Sequence, residues 1–220
     1  MTATAPILAL DTGSPLVSVA VGRDGEVAAE RAIEIGRSSE RLLAMVDEVL
    51  GEAGIDGVAA LGGIVVLSGP GSFTGLRVGL ATALGLHQAS CVPATALPSL
   101  GVLAASIAAE ADDEVRVAAI DVLRDEWAVQ EFTAVADRHP PHALAAAERL
   151  PTATLLSRIV ARPAAVVGFG VRALAERIEG GPPAGLRLVE PPPLAAVAVR
   201  LASLHPPRWD ADSLTRPIYS

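Results

Sequence analysis

The sequence predicts an α/β protein of two lobes, each with a mixed β-sheet flanked by helices. Short apolar runs rich in valine and isoleucine alternate with amphipathic segments of helical period. The order of elements in the first half returns, weaker and abbreviated, after a polar break at 110–114. With 220 residues, 51% of them hydrophobic, the chain fits one large or two small globular domains. We place a first lobe at 1–110 and a smaller second lobe at 111–220, and leave open a return of the C-terminal tail to the first lobe.

The first half opens with three strands that run up and down. Residues 7–10 and 16–21 are apolar runs separated by the turn sequence DTGSP. A second turn, RDG at 23–25, leads into an alternating strand at 27–35. Because the connections are this short, consecutive strands are expected to pair directly as a meander.

A helix is predicted at 38–53. Leu42 and Val46 begin an apolar stripe of helical spacing, and acidic residues occupy the other faces. Ser38 is a candidate N-cap, as is Ser39, and Gly54 is a C-terminal stop.

The remaining elements follow from the same criteria. Predicted strands, in chain order, are 62–67, 92–95, 115–121, 126–133, 164–168 and 186–189. Predicted helices are 75–89, an alanine-rich helix ending near 109, 142–148, 170–179, and one after the PPP sequence at 191–193.

Composition and charge exclude several classes of function. The formal net charge is -8 and no basic cluster occurs, so the chain alone is not expected to bind nucleic acid. All 17 basic residues are arginine, so the lysine of a Walker phosphate loop is missing. The N-terminus lacks the pattern of a signal peptide, and the longest apolar stretch, 58–67, is about half a membrane span. We therefore predict a cytoplasmic protein without membrane contact.

Residues suited to metal or nucleophilic catalysis are scarce. The single cysteine, Cys91, excludes a disulfide framework and a structural zinc site, and its apolar context favours a buried small side chain over a nucleophile. His139 and His142 lie in a proline-rich joint without a helix to aim both rings. No serine occupies a G-x-S-x-G motif. We predict no catalytic residue and no metal site, with Asp11, at the end of the first strand, as the best single candidate for chemistry. It can face a ligand or Mg²⁺, or cap its own turn.

The glycine-rich turn GPGSFTG at 69–75 allows two interpretations. Backbone N–H groups at a helix start attract anions, but Pro70 removes one donor and Thr74 stands where a dinucleotide fingerprint needs glycine. The turn is therefore either structural or anion-binding. Beyond it, Gly75, Gly79 and Ala83 form a small-residue stripe that admits a close neighbour. That neighbour is either the chain's own sheet or, as we predict, a helix of another chain.

Three stretches together resemble the TsaB (YeaZ) family: ILALDTGSPLVSVAV, SSERLLAMVDEVLGEAGI and above all GPGSFTGLRVGLATALGL. IDVLRDEWAVQEF and LTRP resemble later family segments, and the resemblance is strong over 7–97 and thin over 134–205. It implies the actin/Hsp70/sugar-kinase (ASKHA) fold. In that fold the turn Asp11–Ser14 handles phosphate, so the resemblance makes Asp11, Thr12, Gly13 and Ser14 the candidate phosphate turn. The second-lobe counterpart would be 121–124, where bulky Val122 and Leu123 stand.

The resemblance implies a non-catalytic scaffold subunit in the synthesis of threonylcarbamoyladenosine beside the tRNA anticodon. Its implied partners are a catalytic TsaD-like subunit, a TsaE-like ATPase in the assembled complex, a second copy when alone, and tRNA only through the complex. The isolated chain would require no cofactor, with ATP or ADP at the junction with the enzyme. The helix 38–53 also lacks the H-x-x-x-H metal motif of TsaD. The family motif loop comprises Gly69, Pro70, Gly71, Ser72, Phe73, Thr74, Gly75 and Arg77. The candidate interface residues are Leu42, Val46, Gly75, Gly79 and Ala83.

Two other functions compete with this interpretation. A small-molecule kinase or ATPase of the same fold would use Asp11 with Mg²⁺, but the second phosphate turn is missing. A glycoprotease-like peptidase would need zinc ligands or an activated nucleophile, and the sequence offers neither.

Overall fold

A computed structural model describes residues 4–34, 38–108, 115–133 and 140–219. The chain divides into two compact units, of which one combines Met1–Ser99 with Pro193–Tyr219 and the other is Leu100–Pro192. The polar break at 110–114, where the sequence analysis ends the first lobe, lies outside the described residues. The lobe boundary therefore stays a prediction.

The regular elements are as follows. The strands are β1 (Ile7–Asp11), β2 (Leu16–Arg23), β3 (Glu26–Glu34), β4 (Gly63–Leu67), β5 (Ala94–Leu97), β6 (Val115–Asp121), β7 (Glu126–Thr133), β8 (Glu148–Pro151), β9 (Ala165–Val167) and β10 (Arg187–Val189). The α-helices are α1 (Ser38–Glu52), α2 (Phe73–Ser90), α3 (Ser99–Ala104), α4 (Thr152–Ala161) and α5 (Leu194–Leu204). Short 3₁₀ helices are Val58–Ala60, Val171–Arg177 and Ala211–Thr215.

The first unit is built on a mixed sheet of order β3-β2-β1-β4-β5. The meander β1 to β3 is antiparallel, as the short turns predict, whereas β4 and β5 run parallel to β1. Every residue of β1 and β4 is buried, because both strands are apolar, except for Asp11 at the end of β1, and lie inside the sheet. The edge strand β3 alternates between inner and outer residues.

Helices cover both faces of this sheet. On one face, α1 and α2 share a core with alternate residues of the strands, including Leu10, Val19 and Val66. On the other face α5 packs against β1 and β2, and its Ala195 N–H donates to the Ser18 hydroxyl at 3.1 Å. The helix α1 ends as predicted, because Gly54 adopts φ 66° and its N–H bonds the Gly51 carbonyl.

The second unit repeats the topology of the first. Its sheet has the order β10-β9-β6-β7-β8, so an antiparallel meander again lies beside two parallel strands. Trp127, Leu155 and Val166 contribute to its core. The two sheets with their helices confirm the predicted fold class, including the abbreviated return of the first half.

Three predicted helices differ from the observed ones. The helix at 142–148 is wrong: Leu144 donates its N–H to the Glu131 carbonyl at 2.8 Å, so this segment pairs with β7 in spite of its alanines. The helix of this region is α4, which the sequence analysis missed. The segment predicted at 170–179 is the 3₁₀ helix Val171–Arg177, and α3 ends at Ala104.

Leu10 tests the core of the first unit. Its side chain is fully buried in β1, so we expect Leu10→Ala to lower the free energy of unfolding by about 2 to 5 kcal/mol. Leu144→Ala is the matched control, because Leu144 is exposed and should change stability by less than about 0.5 kcal/mol. Chemical denaturation of both variants measures the difference, and equal effects would contradict this placement of the core.

Candidate functional site

The turn after β1 folds around the carboxylate of Asp11. Asp11 Oδ1 accepts the N–H of Gly13 at 3.1 Å and the N–H of Ser14 at 3.2 Å. Thr12 donates its hydroxyl to the Gly75 carbonyl at 2.7 Å. The two N–H groups that could hold a phosphate are therefore bonded within the turn, which is the Asx arrangement that the sequence left open.

Asp11 is also the most perturbed acid of this turn. Its side chain is fully buried, and Oδ2 has no hydrogen-bond partner within the described part of the chain. Burial raises the pKa of Asp11 to about 6, against the opposing effect of hydrogen bonds from Ser14 and Gly13. The carboxyl therefore gains and loses its proton close to neutral pH.

The family motif loop is hydrogen-bonded to this turn and to Ser99, the first residue of α3. The loop contains a cis Gly69–Pro70 bond, Gly69 donates its N–H to Ser99 Oγ at 3.1 Å, and its carbonyl accepts the Ser99 N–H at 2.8 Å. Ser72 donates its N–H to the Gly13 carbonyl at 2.8 Å and caps α2 by accepting the Gly75 N–H at 3.3 Å. Hydrogen bonds therefore hold the loop both at Gly69 and at Ser72.

The glycines of the loop and of α2 make room for the first turn. A Cβ built on Gly71 would lie 2.6 Å from the Gly13 carbonyl oxygen. A Cβ on Gly75 would overlap the Thr12 carbonyl oxygen, and one on Gly79 would overlap Thr12 Oγ1. The close neighbour that the sequence analysis assigned to another chain is therefore the chain's own turn.

The other predicted interface residues also lie inward. Leu42, Val46 and Ala83 are buried in the core shared by α1, α2 and the sheet. The physical reason is that the apolar stripe of each helix covers the sheet, so the outward faces belong to other residues. This corrects the placement of Leu42, Val46, Gly75, Gly79 and Ala83 at an interface.

Three motif residues are exposed instead: Phe73, Thr74 and Arg77. Arg77 stacks on the Phe73 ring with Cζ 3.8 Å from the ring centroid, and donates from Nε to the Tyr219 hydroxyl at 3.0 Å. The rings of Phe73 and Tyr219 lie 5.0 Å apart. Tyr219 is not among the residues predicted from the sequence, because no local pattern connects it with a residue 142 positions earlier in the chain.

The second-unit turn at 121–124 contains the bulky residues noted in the sequence. Leu123, Arg124 and Asp125 all have left-handed φ values, of 72°, 59° and 63°. Asp121 Oδ1 accepts the Leu123 N–H at 2.7 Å, and the Leu123 side chain is 72% exposed. Like the carboxylate of Asp11, the carboxylate of Asp121 accepts a hydrogen bond within its own turn.

The remaining candidates carry little chemistry. Cys91 is exposed, which corrects the expected burial: it ends α2 with φ 59°, and its N–H bonds the His87 carbonyl. His139 lies outside the described residues. Over 4–34, 38–108, 115–133 and 140–219, no group of three or more metal-binding side chains comes together. In the same ranges, no helix combines the length and the apolar character needed to cross a bilayer.

The chain is similar in sequence and in fold to several known proteins. The family model described as tRNA N6-adenosine threonylcarbamoyltransferase, TsaD, matches residues 33–139. The tRNA threonylcarbamoyladenosine biosynthesis protein TsaB of Haemophilus influenzae is 34% identical over 120 residues, which are 54% of this chain and 50% of that protein. YeaZ from Pseudomonas aeruginosa has a TM-score of 0.74 at 25% identity and covers 99% of this chain and 100% of its own.

A more distant structure shares the fold alone. Component A of the (R)-2-hydroxyglutaryl-CoA dehydratase of Acidaminococcus fermentans reaches a TM-score of 0.52 at 10% identity, over 97% of this chain and 100% of that one. The two sheets of matching order and these likenesses define a protein of the actin/Hsp70/sugar-kinase fold class. Within that class, these likenesses support membership of the TsaB (YeaZ) family. The matched part spans about half the length of the curated relative, 50% of it.

Two glycines of α2 test which face of the helix meets the first turn. Gly79→Ala places a methyl group on Thr12 Oγ1 and should lower the free energy of unfolding by about 1 to 3 kcal/mol. Gly85→Ala is the matched control, because a Cβ there meets nothing within 4 Å and should stabilise the helix by about 1 kcal/mol. Thermal melting compares them, and a neutral Gly79→Ala would contradict the contact.

The raised pKa of Asp11 predicts that the stability of the protein depends on pH. The folded chain holds the Asp11 proton more tightly than the unfolded chain, since its pKa rises from 3.8 to about 6. The free energy of unfolding therefore falls as pH rises through this window, by about 3 kcal/mol in total. Asp11→Asn keeps an oxygen acceptor and cannot ionise, so its stability relative to the wild type should rise from about pH 4 to about pH 7. Denaturation at several pH values measures this, and a constant difference would contradict it.

Proposed function

We propose that the chain is a non-catalytic subunit of the machinery that makes threonylcarbamoyladenosine in tRNA, and that it binds and activates a TsaD-like enzyme. The observation that carries the proposal is the use of the family motif. Its glycines fix α2 against the first turn, and that turn bonds its own N–H groups to Asp11. The motif therefore positions α2 against the first turn, and the N–H groups of the candidate phosphate turn are already bonded to Asp11.

The chemistry of the chain supports a role without catalysis. The second turn is closed by Asp121 in the same way, and Leu123 stands where a backbone would have to approach a phosphate. The chain has no lysine, and α1 has no histidine at the positions where TsaD carries its metal motif. Relatives named TsaB support the pathway, and the match to the TsaD model supports a partner of related fold.

The docking face for the enzyme is the outward side of α1 and α2. On α1 it comprises the exposed residues Leu43, Asp47 and Gly51, and on α2 the exposed residues Arg77, Ala81 and Gly85. Both sets repeat at i, i+4 and i+8, so each forms one stripe along its helix. We call these six residues the α1–α2 face.

Two properties make the α1–α2 face suitable for helix packing. Leu43 is 58% exposed, so it places a large apolar side chain on this face. Gly51 and Gly85 have nothing within 4 Å of an added Cβ, although a glycine inside a helix costs about 1 kcal/mol. Among the described residues, no neighbour needs the space that these glycines leave, whereas a partner helix that approaches closely would.

The wider assembly follows from the same role. A TsaE-like ATPase would join the enzyme complex, tRNA would be bound through the complex, and ATP or ADP would lie at the junction with the enzyme. A second copy would occupy the α1–α2 face when the enzyme is absent. The net charge of -8 supports the indirect contact with tRNA, because phosphates would be repelled by the isolated chain.

One observation favours a second candidate function. The unpartnered Oδ2 of Asp11 would suit a cation in a kinase or ATPase of the same fold. Phosphate release from ATP and Mg²⁺ by the purified chain separates the two functions. We expect no turnover above background, and turnover abolished by Asp11→Asn would establish the kinase instead.

The enzyme contact is tested on the α1–α2 face. Leu43→Glu should weaken binding of a TsaD-like subunit from the same genome by about tenfold or more, since a charge would be buried against a helix. Leu144→Glu is the control, because Leu144 is exposed in the second unit. Calorimetric titration gives the affinities, and synthesis of the modified nucleoside by the reconstituted complex gives the activity.

Two results would contradict the proposed function. The first is a wild-type chain that neither binds the TsaD-like subunit nor increases its activity. The second is a Leu43→Glu variant that binds as tightly as the wild type, which would move the docking face elsewhere.

A further inference from the structure

The end of the chain is attached to the first unit along a segment that we call the C-terminal strap, residues 209–219. The Trp209 ring lies against the first residue of β4, where an added Cβ would overlap it. Ser213 Oγ accepts the Ala96 N–H of the edge strand β5 at 2.9 Å, and Leu214 is buried in the core beneath α1 and α2. Because these contacts are spread along the strap, its path is fixed.

The last residues of the strap contact the family motif loop. Ile218 donates its N–H to the Ser68 carbonyl at 2.7 Å, and its own carbonyl lies so close to Gly69 that an added Cβ there would overlap it. The next residue, Tyr219, lies beside Phe73 with the ring centroids 5.0 Å apart. The backbone of Ile218 therefore places an aromatic ring at the start of α2.

Two contacts hold the guanidinium of Arg77. It lies over the Phe73 ring, with Cζ 3.8 Å from the centroid, and Nε donates to the Tyr219 hydroxyl at 3.0 Å. An arginine side chain that is free in solution loses conformational freedom when it binds a partner, and this loss weakens the binding. Arg77 has less freedom to lose, so its orientation depends on the strap as well as on α2.

The terminal nitrogens of Arg77 remain available. Among the residues that the structure describes, no acceptor bonds them and no acid forms an ion pair with Arg77. Because Nε is occupied by Tyr219, a ligand would be bound through the two terminal nitrogens. An arginine binds a carboxylate in this way through two parallel hydrogen bonds.

A carboxylate of a protein suits this position better than a nucleic acid does. Arg77 is the one cation among the six residues of the α1–α2 face, and the net charge of the chain is -8. Binding of nucleic acid depends on several phosphate contacts. Leu43 and Phe73 are 58% and 53% exposed, and apolar side chains with an arginine among them are typical of protein interfaces.

We propose that the C-terminal strap positions Arg77 for a carboxylate of the TsaD-like subunit, with Tyr219 as the positioning residue. Arg77 supplies the charge and the two N–H donors, and the Tyr219 hydroxyl fixes their direction. This inference rests on the proposed function, in which the enzyme docks on the α1–α2 face. It adds that the last residues of the chain, which belong to neither helix, set the strength of that contact.

A double-variant cycle tests whether Tyr219 acts through Arg77. Calorimetric titration of the TsaD-like subunit compares the wild type with Tyr219→Ala, Arg77→Ala and the double variant. We expect binding to be about threefold to tenfold weaker for Tyr219→Ala and about tenfold or more weaker for Arg77→Ala. The double variant should bind within about twofold of Arg77→Ala, because Tyr219 then has no guanidinium to position. A merely structural role of Tyr219 would weaken binding equally with and without Arg77.

Two further variants separate the hydroxyl of Tyr219 from its ring and from the strap. Tyr219→Phe keeps the ring beside Phe73 but removes the acceptor for Arg77 Nε, so we expect a smaller loss of about twofold to threefold. Arg216→Ala is the matched control, because Arg216 is an exposed arginine of the same strap, and its binding should equal that of the wild type. Melting temperatures should stay within about 2 °C of the wild type, since Tyr219 is 47% exposed.

Charge exchange tests the carboxylate. Arg77→Glu should weaken binding by about tenfold or more, and replacement of one acidic residue of the TsaD-like subunit by lysine should restore it to within about threefold of the wild type. Titrations without and with ADP separate a carboxylate of the enzyme from a phosphate of a nucleotide. We expect the full effect of Arg77→Ala without nucleotide.

Several results would overturn the inference and leave the proposed function standing, provided that the wild type binds the enzyme. These are normal binding by Tyr219→Ala, effects that add in the double variant, an effect of Arg77→Ala that needs ADP, and an Arg77→Glu variant that no lysine exchange restores. Labelled tRNA that binds the chain alone and is lost in Arg77→Ala would assign the arginine to RNA and overturn the inference too. A wild type that does not bind the TsaD-like subunit would contradict both proposals.

Discussion

The contact between the Thr12–Gly13 backbone and α2 determines the arrangement of the first unit. Carbonyl oxygens of the turn approach Gly71 and Gly75 so closely that any side chain there would overlap them. The Thr12 hydroxyl and the Ser72 N–H add hydrogen bonds across the same contact. Since α2 is held there at its first turns, its buried side then covers the sheet and its exposed side is set by the period of the helix. The outward stripe that begins at Arg77 is therefore a consequence of this backbone contact.

Much of the fold was predictable because its strands can be recognised from their local sequence patterns. The residues of β1 before Asp11 and those of β4 are apolar, and the turns between β1, β2 and β3 are too short for any other pairing. The segment 142–148 was predicted wrongly, since its alanines favour a helix while the part of β7 beyond its pairing with β8 offers hydrogen bonds that only the folded sheet supplies. The local sequence pattern contains no information about that competition.

The candidate site was predictable in its residues but not in its orientation. The motif loop and the Asp11 turn were identified, and the structure brings them into direct contact. Helix α2, however, carries small residues both at Gly75, Gly79 and Ala83 and at Ala81 and Gly85, so periodicity alone could not say which stripe faces the sheet. The pairing of Arg77 with Tyr219 joins residues far apart in the chain and had no local signal.

The first unit combines the beginning and the end of the chain, and this affects its synthesis. Residues up to Ser99 leave the ribosome early. However, α5, which covers one face of their sheet, and Ser213, whose hydroxyl accepts the Ala96 N–H of β5, belong to Pro193–Tyr219. The intervening unit, Leu100–Pro192, is contiguous and can fold while synthesis continues. One apolar face of the N-terminal sheet therefore stays uncovered until Pro193–Tyr219 has been synthesised. A chain truncated shortly before Pro193 would lack α5, so the side chains of β1 and β2 that α5 covers would stay exposed to water.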